Sequence, residues 1–282
     1  MKHTSRREVL KGFGMATALL ATSDAPRAVA SQPPPQASVA LAPPAAMMAI
    51  AAQPGDAVFT MGAAIGQQIQ GGGKGIFFSL THGERGNPAV APSTYGAMQI
   101  AATQRAAGIL GAQSSFLSYP DGELPDNEEA RLAVCDAIRQ YRPAIVITHW
   151  KGSMHKDHRA CYHIVTDAIF YAGLPGLKSK LPAHSVATLL FAENWEDAEG
   201  FRQDLYLDVS DVFARWMRAC AAFPMWRGET GFRYDVYYSS LAAARGALAS
   251  IGQKRGARFK YAVALMFPHQ WVGRAVRSLT AV

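Results

Sequence analysis

The chain has 282 residues, 28 Lys or Arg against 21 Asp or Glu, and a hydrophobic fraction of 49%. That length holds one large α/β domain or two small ones, and the charges form no basic block that would argue for nucleic acid. Three widely spaced cysteines, Cys135, Cys161 and Cys220, exclude a disulfide framework and a thiolate metal pattern; small core residues are expected.

The first thirty residues carry Arg6-Arg7, then Leu10-Lys11, a mildly apolar run from Gly12 to Ala21, and Ala28-Val29-Ala30. This order is that of a twin-arginine export signal with an A-x-A cleavage site after Ala30, which predicts a periplasmic or extracytoplasmic protein. The apolar run is too short to cross a bilayer, which takes about 20 residues, so no integral span is expected after cleavage. The signal holds five basic and two acidic residues, which leaves 23 against 19 in the mature chain, a net charge of +4. Residues 31–46, rich in proline and alanine, read as a tether.

From Met47 short apolar runs alternate with amphipathic stretches. The pattern predicts a strand at Met47–Ala52, a helix over Asp56–Gln70 and a strand at Gly75–Leu80. A helix over 95–110 ends at Gly111, a short strand follows at 114–117, and Asp126 caps a helix over Asn127–Tyr141. Next come a strand at Pro143–Thr148, a helix near 157–172, strands near 186–192 and 205–209, a helix near 211–222 and a closing run, Phe259–Met266. The segment 223–238, "FPMWRGETGFRYDVYY", reads as a strand-and-loop cap whose aromatic rings and arginines would also suit a sugar. Strand–helix alternation means an α/β fold, a mostly parallel sheet with helices on both faces. Ligands in such sheets bind beyond the carboxyl ends of the strands, where both the segment after Ala52 and His149 to His158 lie. "GGGKG" (71–75) precedes a strand and lacks the Ser or Thr of a phosphate loop, so it reads as a turn.

"SMHKDHRACYH" (153–163) concentrates the chemistry-bearing side chains. His155 and His158, three apart at a helix start, share a face, and Asp157 between them can orient a histidine by accepting its second ring proton. A surface turn with two histidines explains the same spacing. His163 reads as a helix residue, and His3, His184 and His269 as structural or irrelevant to a site.

"THGERG" (81–86), "YPDGEL" (119–124), "RPAIVITH" (142–149) and "HKDHRA" (155–160) stand in an order and spacing that resemble the LmbE-like, or PIG-L-type, zinc de-N-acetylases. The resemblance runs from about Met47 to Met266. It implies a Rossmann-like fold, an N-acetylglucosamine-type amino-sugar or glycan ligand, and zinc held beside a general base. The family's A-H-P-D-D-E motif supplies a ligand histidine, the base and a ligand aspartate. Here that segment reads Ala52-Gln53-Pro54-Gly55-Asp56-Ala57. By this resemblance Asp56 and His158 stand at metal-ligand positions, and His155 and Asp157 at the catalytic second-histidine element. Gln53 stands where the ligand histidine belongs, Gly55 at the base and Ala57 at the glutamate. Gln99 and Ala102 replace the family's R-x-x-E, whose arginine contacts substrate.

Two readings follow. In the first the chain is a pseudoenzyme that binds a glycan or a partner in the ancestral crevice, because Gln53 weakens or abolishes zinc binding and glycine accepts no proton. In the second it is a hydrolase with a rebuilt centre: Asp56, His155 and His158 hold a metal, and Asp157, Glu84, Glu193 or Glu196 is the base, with Thr81 also retained.

Overall fold

A computed structural model describes residues 45–177, 179–251 and 259–268. The expected export signal, the expected tether as far as residue 44, His3 and His269 lie outside the described residues. Seven strands form one sheet: β1 (Ala46–Ala51), β2 (Lys74–Thr81), β3 (Gln113–Tyr119), β4 (Ile145–Thr148), β5 (Thr188–Ala192), β6 (Leu205–Asp208) and β7 (Ala262–Met266). Their spatial order is β3-β2-β1-β4-β5-β7-β6. β1 runs parallel to β2 and β4, and β3 and β5 continue the parallel part outward. β7 is antiparallel to both β5 and β6. The expected mostly parallel α/β sheet is what forms, with an antiparallel pair on one edge.

Side chains of β1 alternate between two cores, as period-2 geometry requires. Met47, Ala49 and Ala51 face α1 (Pro54–Phe59), α2 (Gly62–Gln70), α3 (Pro92–Leu110), α6 (Phe213–Cys220) and α7 (Tyr234–Ala249). Met48, Ile50 and Ala52 face α4 (Glu128–Tyr141) and α5 (Lys156–Ala172). On α5 the stripe Cys161, Ile164, Val165, Ala168 and Ile169 is buried at helical spacing. Each buried Ile or Val there contributes about 1.5–3 kcal/mol. All three cysteines are buried and free, as expected. Among the described residues no helix is long and apolar enough to cross a membrane.

Three local expectations are corrected. The helix over 56–70 breaks at Thr60-Met61, where the Thr60 hydroxyl donates to the Asp56 carbonyl at 2.8 Å. Gly62 then packs under Trp216, and the Trp216 indole N–H donates to the Val58 carbonyl at 2.8 Å. Asn127, not Asp126, caps α4 by accepting from the Ala130 N–H, while Asp126 pairs with Arg131. The strand-and-loop cap is a loop followed by helix α7, whose Tyr238 and Ala242 pack into the first core. β-favouring aromatics at its start mask the helical run Ser239–Ala249, a case of tertiary packing overriding propensity.

The chain leaves β3 and returns on the other side of β1 as β4. The crevice opens at this switch point, beyond the carboxyl ends of β1 and β4. Gln53 to Asp56 start α1 there, and His155 to His158 start α5.

Candidate active site

His149, at the end of β4, is 1% exposed and ties the two central strands together. Its Nε2 accepts from the Ala52 N–H at 3.2 Å, and its Nδ1 donates to Asp197 Oδ2 at 2.8 Å. Asp197 is wholly buried, and its other oxygen accepts from His158 Nδ1 at 2.8 Å. His158 Nε2 lies 3.1 Å from Gln53 Oε1 and 3.3 Å from Asp56 Oδ2. Both His158 nitrogens thus face acceptors, the arrangement of an imidazolium. Burial opposes that charge, yet the Asp56 and Asp197 carboxylates hold His158 well above the usual histidine range. Burial likewise opposes ionisation of Asp56, and the His158 charge holds its carboxyl below the usual range. The His149, His158 and His155 rings stack, with centroids 3.8 and 4.4 Å apart.

Gln53 is clamped. Its amide nitrogen donates to Asp121 Oδ1 at 2.9 Å and to Asp157 Oδ2 at 3.1 Å, which turns its oxygen toward His158. The Asp157 carboxylate does not accept from a histidine ring, contrary to expectation. It is fully buried and accepts from the Gly122 and Leu124 amides and from Gln53, so it is unsuited to act as a base. His155 is oriented instead by the Asp157 N–H, which donates to its Nδ1 at 3.2 Å and places the neutral ring's proton on Nε2. Burial and the His158 charge lower the pKa of His155 and favour that neutral form.

A cavity of about 140 Å³ is lined by Gln53, Asp56, His155, His158 and Glu196. Its further walls include Phe59, Tyr95, Gln99, Asp121, Met225 and Tyr234. Of the four expected crevice residues, only Glu196 reaches it. Glu193 pairs with Arg245 and lines a separate cavity. Glu84 accepts from the Asp121 N–H, and the buried Thr81 hydroxyl donates to the Ala52 carbonyl. Ala57 and Ala102 are core residues. Beside Gly55 the base position is filled: a Cβ there would lie 3.0 Å from Met225 Cε and 3.3 Å from Phe59 Cε2. Glu196 Oε2 stands 4.0 Å from His158 Nε2. Burial, and then the Asp56 charge, push its carboxyl up to about 7.

Glu196 and Asp197 lie on one 3₁₀ turn, Trp195–Asp197, directly after β5. Asp197, His149 and Asp121 were not expected at the site. The only sequence signal for the first is its place among acidic residues just past a strand's carboxyl end. This turn is held by close backbone packing: a Cβ on Gly152 would overlap the Glu199 carbonyl. Gly152→Ala is therefore expected to displace the 195–199 segment. It should lower the melting temperature by several degrees, the equivalent of about 1–3 kcal/mol, and an unchanged melt would refute that packing role.

Asp56, His149 and His158 can each offer an atom within 4.8 Å of the others'. Both His149 nitrogens are, however, engaged by Ala52 and Asp197, so the remaining candidate donors are Asp56 Oδ2, His158 Nε2 and Gln53 Oε1, which contact one another. Asp197 behind His158 supplies the outer carboxylate typical of a metal-bound histidine. The residues therefore fit a divalent cation, although one imidazole with two oxygens suits oxygen-preferring ions better than zinc.

The PIG-L family, described as GlcNAc-PI de-N-acetylase, matches residues 48–169. A diacetylchitobiose deacetylase of Thermococcus kodakarensis is 26% identical over 229 residues, covering 74% of this chain and 81% of that protein. Among solved structures, GalB, the 4-carboxy-2-hydroxymuconate hydratase of Pseudomonas putida, shares the fold. Its TM-score is 0.75 at 22% identity, over 83% of this chain and 99% of GalB. N,N'-diacetylchitobiose deacetylase of Pyrococcus horikoshii follows at TM-score 0.66 and 20% identity, over 79% of this chain and 83% of that one. With the expected motifs in register on the expected fold, residues 48–169 match the PIG-L family, and the chain is similar to LmbE-like, PIG-L-type deacetylases.

Proposed function

We propose that the cavity is the active site of a cation-assisted amide hydrolase that deacylates amino sugars, with Glu196 as the general base. The observation that carries this is Glu196 itself, a cavity carboxyl poised at about 7 beside Asp56 and His158. Asp56, His158 and Gln53 would hold the cation, and His158 must release its Nε2 proton to do so. When bound, a divalent cation supplies Lewis-acid polarisation of the acyl oxygen and lowers the pKa of water. Glu196 takes the proton as water adds to the acyl carbon, and returns it to the nitrogen as the C–N bond breaks. His155 Nε2–H donates to the developing oxyanion. The twin-arginine signal supports placing this activity outside the cytoplasm.

A glycan- or partner-binding protein without catalysis is the second reading, favoured by the clamped Gln53 amide and by Met225 beside Gly55. A hydratase acting on a carboxylate, the activity named for GalB, fits less well, because no Lys or Arg among the described residues lines the cavity.

The test is amine release from acylated amino sugars by protein loaded with manganese, iron, nickel or zinc. No release with any of them would leave the binding reading. Gln53→His should raise zinc affinity by more than the roughly 10–100-fold attached to an outer-shell partner. Isothermal titration checks this, and an unchanged affinity would mean that Gln53 does not occupy a ligand position.

A further inference from the structure

We propose that a second cleft, lined by Glu193, Trp195, Phe201, Tyr237 and Arg245, binds a neutral sugar ring, so that the protein holds a glycan by two linked rings rather than by one. That this second ring belongs to a substrate rests on the proposed hydrolysis; the binding itself does not.

The cleft measures about 240 Å³ and shares no described lining residue with the candidate active site. In its wall the Arg245 Nε–H donates to Glu193 Oε2 at 2.8 Å, and an Nη2–H donates to Oε1. The two side chains are mostly buried, at 17% and 13% exposure. Their pairing uses two of the five guanidinium N–H groups. The Nη1 edge donates to no described residue, and it is not sealed from solvent. A buried ion pair offsets its desolvation only when its remaining protons and lone pairs are also met. Because the paired charges cancel, an anion would be opposed by Glu193 and a cation by Arg245. A sugar hydroxyl donates and accepts at once, so neighbouring hydroxyls match a guanidinium and a carboxylate side by side. The rings of Trp195, Phe201 and Tyr237 suit the apolar C–H face of the same sugar.

An aromatic row joins the two cavities. Trp195 stacks on Phe232, with centroids 4.8 Å and planes 17° apart, and Phe232 lies 4.8 Å from Tyr234, a wall of the candidate active site. Asn194 joins them by polar contacts. It lines the second cleft, donates to Asp56 Oδ1 at 3.3 Å and accepts from the Glu196 N–H at 3.3 Å. At about 140 and 240 Å³, neither cavity alone reaches the roughly 300–1,000 Å³ of sites that enclose a whole ligand. Two linked rings, one in each, use both.

Titration calorimetry on the full chain without added metal tests this with N-acetylglucosamine and its β-1,4-linked trimer. The trimer should bind at least about tenfold more tightly than the monomer, with little change as salt rises, since the ring in the second cleft is neutral. Glu193→Gln combined with Arg245→Met removes both charges at nearly constant volume. It should bring the ratio of trimer to monomer affinity down to about two or less. Should that variant not fold, Tyr237→Ala, which removes one ring of the wall, serves: a ratio cut several-fold supports the inference, and an unchanged ratio overturns it. Equal affinity for the two sugars in the native protein, no binding of the trimer, or an unchanged ratio in the double variant also overturns it. A trimer preference lost in the variant, without hydrolysis by the cation-loaded native protein, would sink the hydrolase reading alone; hydrolysis without trimer preference would sink this inference alone.

Discussion

Glu196→Gln is expected to lower amine release by about 10²–10⁴-fold and, in the same protein, to raise the melting temperature at pH 8 but not at pH 4.5. Both effects have one source. The folded protein holds the Glu196 carboxyl at about 7, above its ordinary 4.5, through burial and the Asp56 charge. Between those values the folded state keeps a proton that the unfolded state releases. Stability from this group is therefore full below about 4.5 and is lost as pH rises through about 7. With the side chain 21% exposed, the full loss amounts to roughly 3 kcal/mol. Glutamine never ionises, so it escapes the loss and also forfeits the base. Thermal melts at the two pH values and a pH–rate profile check the pair of effects. In the loaded enzyme the rate should climb with pH as the base ionises. The climb should come at a lower pH than ionisation in the cation-free protein, because a cation on Asp56 offsets the charge that raises Glu196. An undiminished rate in Glu196→Gln would remove Glu196 from the mechanism.

Asp197→Asn is the more damaging change to the fold. Asp197 accepts one ring proton from His149 and one from His158, all three being buried. Asparagine offers one oxygen, so its amide N–H groups confront one of those ring protons. His149 cannot escape by changing tautomer, because its Nε2 is held by the Ala52 N–H. Breaking a buried charge pair in this way costs about 3–5 kcal/mol. Urea unfolding at pH 7 should show a large drop in midpoint, and metal affinity should fall about 10–100-fold as His158 loses its outer partner. The acid response follows from the sign of the shift. Although burial opposes it, the two histidines hold the Asp197 carboxyl well below its ordinary 3.8. Its contribution is thus present above pH 3.8 and lost as pH falls further, so the variant should lose less additional stability in strong acid. An unchanged urea midpoint would show that Asp197 is not the buttress it resembles.

These two residues mark where the sequence stops being readable. Asp56, His155 and His158 stand out because motif order and spacing flag them, and the departures at Gln53 and Gly55 are plain from the same alignment of motifs. Glu196 is visible only as one acid among several. Glu84, after β2, is turned to the Asp121 N–H, and which of Glu193 and Glu196 meets the cavity depends on the conformation of the turn after β5. That turn is set by Gly152 packing against Glu199 and by the Asn194 side chain accepting from the Glu196 N–H. Asp157 misleads for the same reason: its neighbours in sequence are histidines, but its neighbours in space are the amides of Gly122 and Leu124.

The sequence by itself determined the α/β class, the helices on both faces, the family resemblance, and the site's place beyond the ends of β1 and β4. Those follow from hydrophobic period and from motifs, which are local. Tertiary structure alone decided the α7 helix of the cap, the Asp197 bridge between two histidines, the Gln53 clamp and the Met225 filling beside Gly55. Each joins segments dozens of residues apart. Whether such a group is a ligand, a base or a support depends on the burial and the charges that folding brings around it.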